Sequence, residues 1–370
     1  MKNNDKYWLA FAAFEKINSK FVQKLYEHFG DIELAWKSDI TELLQVEGIT
    51  KKQFDTFVNQ RNSVNPEECL SYIKSNGIEY ITYDDERYPF LLRNIFDPPM
   101  TLFMAGDIER CNLDRTIAVV GSRKASEQSK TILSEIISEL RNSDICIVSG
   151  LATGIDTTAH EAAINNNLTT IGVIGGGFEK LYPASNRNLF NAIKEKYGAV
   201  LSEYWPTAEP IAWRFPQRNR IVSGISKGTL VAEAALKSGA LITANLALEH
   251  GRELMCIPGA ISNPNTQGIY KLLKNGAAMV TCAEDILNTM DWEILKYNNV
   301  NKEDNSELFP LSNNEKQVFE LISIDSANID SILQKTNLNI NDLMVILTKL
   351  ELYGLIKQTD GERYISTVLK

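Results

Sequence analysis

Histidine and cysteine are scarce in this chain of 370 residues. There are three histidines (His28, His160, His250) and five cysteines (Cys69, Cys111, Cys146, Cys256, Cys282). Three scattered histidines do not supply the ligand cluster of a catalytic metal site. The cysteines are odd in number and form no CxxC pair, which argues against a disulfide or zinc framework and predicts reduced, buried thiols. No metal or cofactor is expected. Runs of ~18 apolar residues are also missing, and residues 1–20 mix charges into their apolar pattern, so neither a membrane span nor a secretory signal is expected. The expected compartment is the cytoplasm. Positive charge is not in excess either: 38 Lys+Arg against 47 Asp+Glu gives −9, so a nucleic-acid site has to be a local patch. GxxxxGK[ST] and HExxH are both absent, which argues against P-loop nucleotide hydrolysis and a zinc-protease helix.

What is present divides along the chain, and the length predicts two or three domains at roughly 150 residues each. Residues 1–65 read as short helices, with apolar positions such as Trp8, Phe11, Phe14, Phe21 and Leu25 at three-to-four spacing. Leu44–Lys52 resembles the turn of a helix-hairpin-helix. With nine basic and nine acidic residues in 1–62, the reading is a helical packing module. Residues 66–290 alternate strand candidates (Thr116–Val120, Ile145–Ser149, Thr170–Ile174, Ala199–Ser202, Gly228–Ala232, Glu253–Ile257, Ala277–Thr281) with amphipathic helices. That alternation predicts an α/β domain with a doubly wound parallel sheet. Residues 291–311 are a polar linker. Residues 312–370 give three helices and a hairpin around Asp360-Gly361, the pattern of a winged helix-turn-helix. Residues 301–370 hold seven basic and eleven acidic residues, −4, so protein contact or packing is as consistent with this module as DNA binding.

In an open α/β sheet, ligands bind beyond the carboxyl ends of the strands. Here those ends carry glycine loops: Gly121, Ser122, Arg123 and Lys124 after one strand, Ser149 and Gly150 after the next. The second loop opens a helix for which Thr158 and Glu161 have capping-box spacing. Glycines allow close backbone approach to an anion, helix N-termini offer free amides, and Arg123 adds a planar fork for phosphate. A third loop, Phe178–Arg187, mixes aromatics with Lys180 and Arg187. The run Trp213–Lys227 then contains Arg218, Asn219 and Arg220 and no carboxylate. Cations interleaved with aromatics suit single-stranded nucleic acid, where phosphates meet charge and bases meet rings. Asp156 and His160 share a helix face, and a structural role fits them better than catalysis because no third partner is visible.

Taken in order, VVGSRKAS, VSGLATGIDTTAHEAA, GGGFEKLYPASNRNL, LSEYWP, RFPQRNRIVSGIS, VAEAALKSGALITANLALEHGRE and IPGAISNPNTQG closely resemble the DNA processing protein A family (DprA, also called Smf). The resemblance runs from about residue 70 to 290. It implies an extended Rossmann-like domain, with the helical and winged modules as companions, and a non-enzymatic protein that binds single-stranded DNA. It also implies protection of incoming DNA in natural transformation, loading of the RecA recombinase, and a homodimer joined through residues 268–281. Carried over by motif, Gly121, Ser122, Arg123, Lys124, Ser149, Gly150, Phe178, Lys180, Arg187, Arg218, Asn219 and Arg220 would bind DNA. Two departures are Arg187, where lysine is common, and the triple glycine Gly175–Gly177. The alternative is a nucleotide N-glycosidic hydrolase of the lysine-decarboxylase-like Rossmann group. That group's PGGxGTxxE loop corresponds here to Leu230–Gly239, which has Glu233 but lacks the PGG.

Overall fold

The structure, a computed structural model, describes residues 4–14, 17–292, 311–324, 327–336, 338–353, 355–359 and 363–366. The chain falls into two compact units, Met1–Leu295 and Lys296–Lys370.

The first unit opens with six helices: α1 (Asp5–Ala12), α2 (Ser19–Phe29), α3 (Ile32–Lys37), α4 (Ile40–Leu43), α5 (Lys51–Arg61) and α6 (Pro66–Ser75). Side chains of Asn18, Asp31, Asp39, Thr50 and Asn65 accept first-turn amides and so start the last five of them. Their core is aromatic. Phe11 stacks on Phe57 at 5.4 Å, and the cluster continues through Trp8, Phe21 and Trp36 into Tyr80, Met100 and Phe103. The turn between α4 and α5 is packed: Lys24 Nζ donates to the Gly48 carbonyl at 2.5 Å.

A nine-stranded sheet follows, with strand order β1-β2-β6-β5-β4-β3-β7-β8-β9. Its strands are β1 (Glu79–Thr82), β2 (Thr101–Gly106), β3 (Thr116–Gly121), β4 (Cys146–Ser149), β5 (Thr169–Val173), β6 (Gly198–Ser202), β7 (Gly228–Glu233), β8 (Glu253–Cys256) and β9 (Ala278–Met279). The seven from β3 to β9 are parallel; they are the strands expected from the sequence, with ends shifted by a residue or so. β1 and β2 add an antiparallel edge beside β6. Neither is among the strands expected from the sequence.

Side chains alternate between the sheet faces. Ile117 and Val119 pack with α8 (Glu127–Glu139), α9 (Ile155–Asn165) and α14 (Ala283–Thr289). Ala118 and Val120 pack toward α11 (Arg214–Ile225), α12 (Gly239–Glu249) and α13 (Gln267–Lys274), with the short α7 (Phe90–Arg93) at that face; α10 (Arg187–Ala192) precedes β6. Strand order runs outward from β3 through β4 to β6 on one side and through β7 to β9 on the other. The switch point, where ligands settle in such sheets, is therefore at β3, β4 and β7. Most of the acid-free run Trp213–Lys227 is helix α11.

The second unit has helices α15 (Asn313–Ile324), α16 (Ile329–Lys335) and α17 (Ile340–Leu352). A small antiparallel sheet, in the order β10 (Ala327–Asn328), β12 (Arg363–Ser366), β11 (Ile356–Thr359), completes it. Val318, Ile332, Leu343, Leu347 and Leu350 form its core. Residues 293–310 of the predicted linker and the Asp360-Gly361 turn lie outside the described residues. Among the described residues, no helix is long and apolar enough to cross a membrane.

Candidate nucleic-acid interface

At the switch point the loops after β3 and β4 lie back to back. A β-carbon on Gly121 would stand 2.5 Å from Ile155 Cγ1, and one on Gly154 (φ +81°) 2.3 Å from the Ser122 carbonyl. Glycine is required at both positions by this close approach. Above them opens a cavity of about 530 Å³, lined by Gly121, Ser122, Arg123, Lys124, Gly150, Arg218 and Asn219 of the predicted residues, and by Asp156, Phe215, Lys237 and Asn265. Arg123, Lys124, Arg218 and Lys237 thus face a single lining carboxylate, Asp156. Lys237 was not predicted; its position just beyond β7, a third strand at the switch point, was the available signal.

The protein's own carboxylates reach both loops, but only α8 has one at its start, and α9 follows Gly154 with no side-chain cap. Asp156 Oδ2 accepts the Ala152 amide at 3.3 Å. Glu233 Oε2 accepts from the Ser126 amide at 3.1 Å and the Ser126 hydroxyl at 2.7 Å, where α8 begins. Glu233 thus takes part of the anion's expected place at α8, while the α9 start stays uncapped and side-chain cations add to the positive field. The capping box at Thr158 and Glu161 does not form: α9 begins at Ile155, and Thr158 lies inside it, its hydroxyl donating to the Gly154 carbonyl at 3.2 Å.

Arg218 is buried, not displayed. It donates to the Gly150 and Val173 carbonyls, and burial pulls it down to about 10, opposed by Asp156. Burial in turn raises Asp156, with Arg218 opposing. His160, fully buried, is within 2.7 Å of the Thr170 hydroxyl and is lowered to about 3 by burial and then by Arg218. The structural reading of Asp156 and His160 fits this geometry.

Arg123 is exposed, and its guanidinium lies 5.2 Å over the Phe215 ring. Tyr182, 55% exposed, lies 5.7 Å from that same ring. These three side chains form a cationic and aromatic surface at the cavity mouth. Tyr182 is the displayed aromatic of its loop. Phe178 packs half-buried against Phe190 at 6.0 Å. Lys180 pairs with Glu209 at 3.3 Å, and Arg187 is exposed on the same loop, though neither lines the cavity. Asn186, within the predicted loop Phe178–Arg187, holds it to the β4 loop by donating to the Leu151 carbonyl at 3.0 Å and the Thr157 hydroxyl at 2.9 Å.

Two predicted contacts need correction. Ser149 is fully buried, and its hydroxyl donates to the Val119 carbonyl at 2.6 Å, binding β4 to β3. Arg220 points away from the cavity into a buried network. It forks onto Glu203 at 2.6 and 2.9 Å and reaches Asp97 at 3.2 Å and the Ser19 hydroxyl at 3.0 Å. Burial pulls Arg220 down, but Glu203 and Asp97 outweigh it and hold its pKa above the ordinary value. A guanidinium with two carboxylate partners has no charge left for a phosphate.

Residues 79–291 match the family described as DNA recombination-mediator protein A, and residues 302–362 match the DprA winged helix domain. Protein Smf of Synechocystis is 31% identical, over 98% of this chain and 99% of its own. DNA processing protein DprA of Bacillus subtilis is 40% identical, over 62% of this chain and 76% of its own. The X-ray structure of DNA processing protein A from Streptococcus pneumoniae superposes with a TM-score of 0.69 at 33% identity, covering 79% of this chain and 99% of that one. The Helicobacter pylori protein, solved to describe its single-stranded DNA binding mode, gives 0.52 at 30%, covering 58% and 98%. With the family match spanning the whole sheet and a full-length relative beside it, the chain belongs to the DNA recombination-mediator protein A family.

Proposed function

We propose that this protein binds single-stranded DNA in the cavity beyond β3, β4 and β7, without catalysing a reaction on it. In this reading it works in the cytoplasm as a homodimer, protects incoming DNA during transformation and loads the RecA recombinase onto it. The observation that carries the reading is the pairing of four cations against one carboxylate with the exposed Arg123–Phe215–Tyr182 surface. Phosphates neutralised in the cavity and bases stacked at its mouth are the two halves of single-strand recognition. The single-stranded DNA mode described for the H. pylori relative supports the same assignment. The hydrolase alternative receives no comparable support, because Glu233 is fully buried, caps α8 and does not line the cavity.

The test is oligonucleotide binding across a salt series. Each neutralised phosphate contributes roughly −0.7 to the slope of log K against log salt for single strands. Arg123→Ala and Lys124→Ala should each weaken binding whatever the base sequence and flatten that slope by about one phosphate's share. Duplex of the same length should bind more weakly. Unchanged affinity and slope in both variants would remove the cavity from the reading. RecA assembly on the strand, timed with and without the protein, tests the loading step separately.

A further inference from the structure

A second cleft lies on the other side of the start of α11, and nothing described so far uses it. Its volume is about 370 Å³, and Trp213, Arg214 and Gln217 form one wall, with Tyr204, Glu209 and Phe14 among the residues opposite. The first turns of α11 therefore serve two concavities: Phe215, Arg218 and Asn219 face the cationic cavity, while their neighbours face this cleft. Trp213 is 54% exposed, so its indole face is available at the cleft.

Arg214 adds an independent sign. It is only 5% exposed, yet its Nε has no hydrogen-bond partner among the described residues. One Nη donates to the Glu209 carbonyl at 2.6 Å, and the guanidinium lies 4.6 Å from the Tyr204 ring and 5.4 Å from the Trp213 ring. The Nε is closed off from solvent, so the group a ligand in the cleft can meet is the other Nη, which has no hydrogen-bond partner among the described residues. The cleft's charge indicates which ligand. Glu203 and Glu209 line it, and Lys180 is already paired with Glu209 at 3.3 Å. No surplus of positive charge remains for a phosphate, so the fit is to a neutral planar group bearing acceptors. Gln217, whose Oε1 accepts from the Tyr204 hydroxyl at 3.3 Å, keeps amide donors for the same edge.

We propose that this cleft takes a nucleobase of the strand whose phosphates occupy the neighbouring cavity, with Trp213 as its stacking face and Arg214 and Gln217 reading its edge. The proposal rests on the single-strand reading above and extends it across α11. The strand path then crosses the helix from Tyr182 and Phe215 to Trp213, alternating charge with rings.

The experiment uses the full chain and a fluorescent oligothymidylate, with one abasic nucleotide moved stepwise along it. Trp213→Ala should weaken binding roughly 5- to 150-fold, the range for losing one stacked base, and should leave the salt slope unchanged. Trp213→Phe should recover most of the loss. One abasic position should weaken the wild-type protein by a similar factor and have little effect in Trp213→Ala. A Trp213→Ala protein with unchanged thermal midpoint and wild-type affinity would overturn the proposal while Arg123→Ala still impairs binding. Equal sensitivity of both proteins to every abasic position would overturn it as well. If neither Arg123→Ala nor Lys124→Ala changes affinity or slope, the cavity assignment has failed and this inference falls with it.

Discussion

A β-carbon added to Gly150 would stand 2.6 Å from both an Arg218 nitrogen and an Asp156 carboxylate oxygen, so Gly150→Ala has to displace two buried side chains to fit. Overpacking of this kind costs about 1–3 kcal/mol, and urea unfolding should register a loss in that range, accompanied by weaker oligonucleotide binding. His160 gives a second prediction. Burial, with Arg218 nearby, holds it neutral down to about 3 in the folded protein, whereas an unfolded chain takes up that proton near 6.5. The unfolded state therefore binds more protons between those values, and stability that is full above pH 6.5 is lost as pH falls toward 3. The loss from this group is up to about 1.4 kcal/mol for each pH unit. Urea midpoints from pH 7 to 5 should fall more steeply in the wild type than in His160→Gln, whatever the variant's stability at neutral pH.

Elements were legible to different degrees, for physical reasons. The parallel strands announce themselves because buried apolar runs end in glycine loops, and that same feature located the cavity. Helix α11 is harder to see. Arg214, Arg218, Arg220, Ile221 and Val222 are all buried, so no polar face sets a period, and Pro216 is tolerated because it falls in the first turn. The fates of its arginines were not legible at all, since Asp97, Asp156 and Glu203 lie far away in sequence and meet α11 only after folding. The segment 268–281, expected to join two subunits, shows the same division. Ile269 and Leu272 are spent inside their own core, whereas Met279 on edge strand β9 is 58% exposed. An open edge with an apolar side chain invites pairing with a second copy. Met279→Lys should therefore shift the proposed dimer toward monomer at micromolar concentration in light scattering, and an unchanged mass would move the interface elsewhere.

At the scale of the whole molecule, the two compact units make the C-terminal one separable. A chain ending at Asn298 should remain folded by circular dichroism, since the cut falls near the division between Met1–Leu295 and Lys296–Lys370. Among the described residues of the winged unit, Lys349 is engaged by Glu315 at 2.7 Å, and the outer face of α17 displays Ile340, Met344 and Val345. Because residues 301–370 carry −4 of the total −9, single-strand affinity of the shortened chain should hold or rise modestly in fluorescence anisotropy. A large loss in a folded truncation would place the principal contacts in the winged unit. The aromatic core that runs from Phe11 and Phe57 into Tyr80 and Phe103 has the opposite consequence. A gene crossover near residue 65 would leave half of that cluster uncovered and strip Ser19 from the Arg220 network. Chimeras of this chain joined there should aggregate, whereas chimeras joined near 295 should stay soluble.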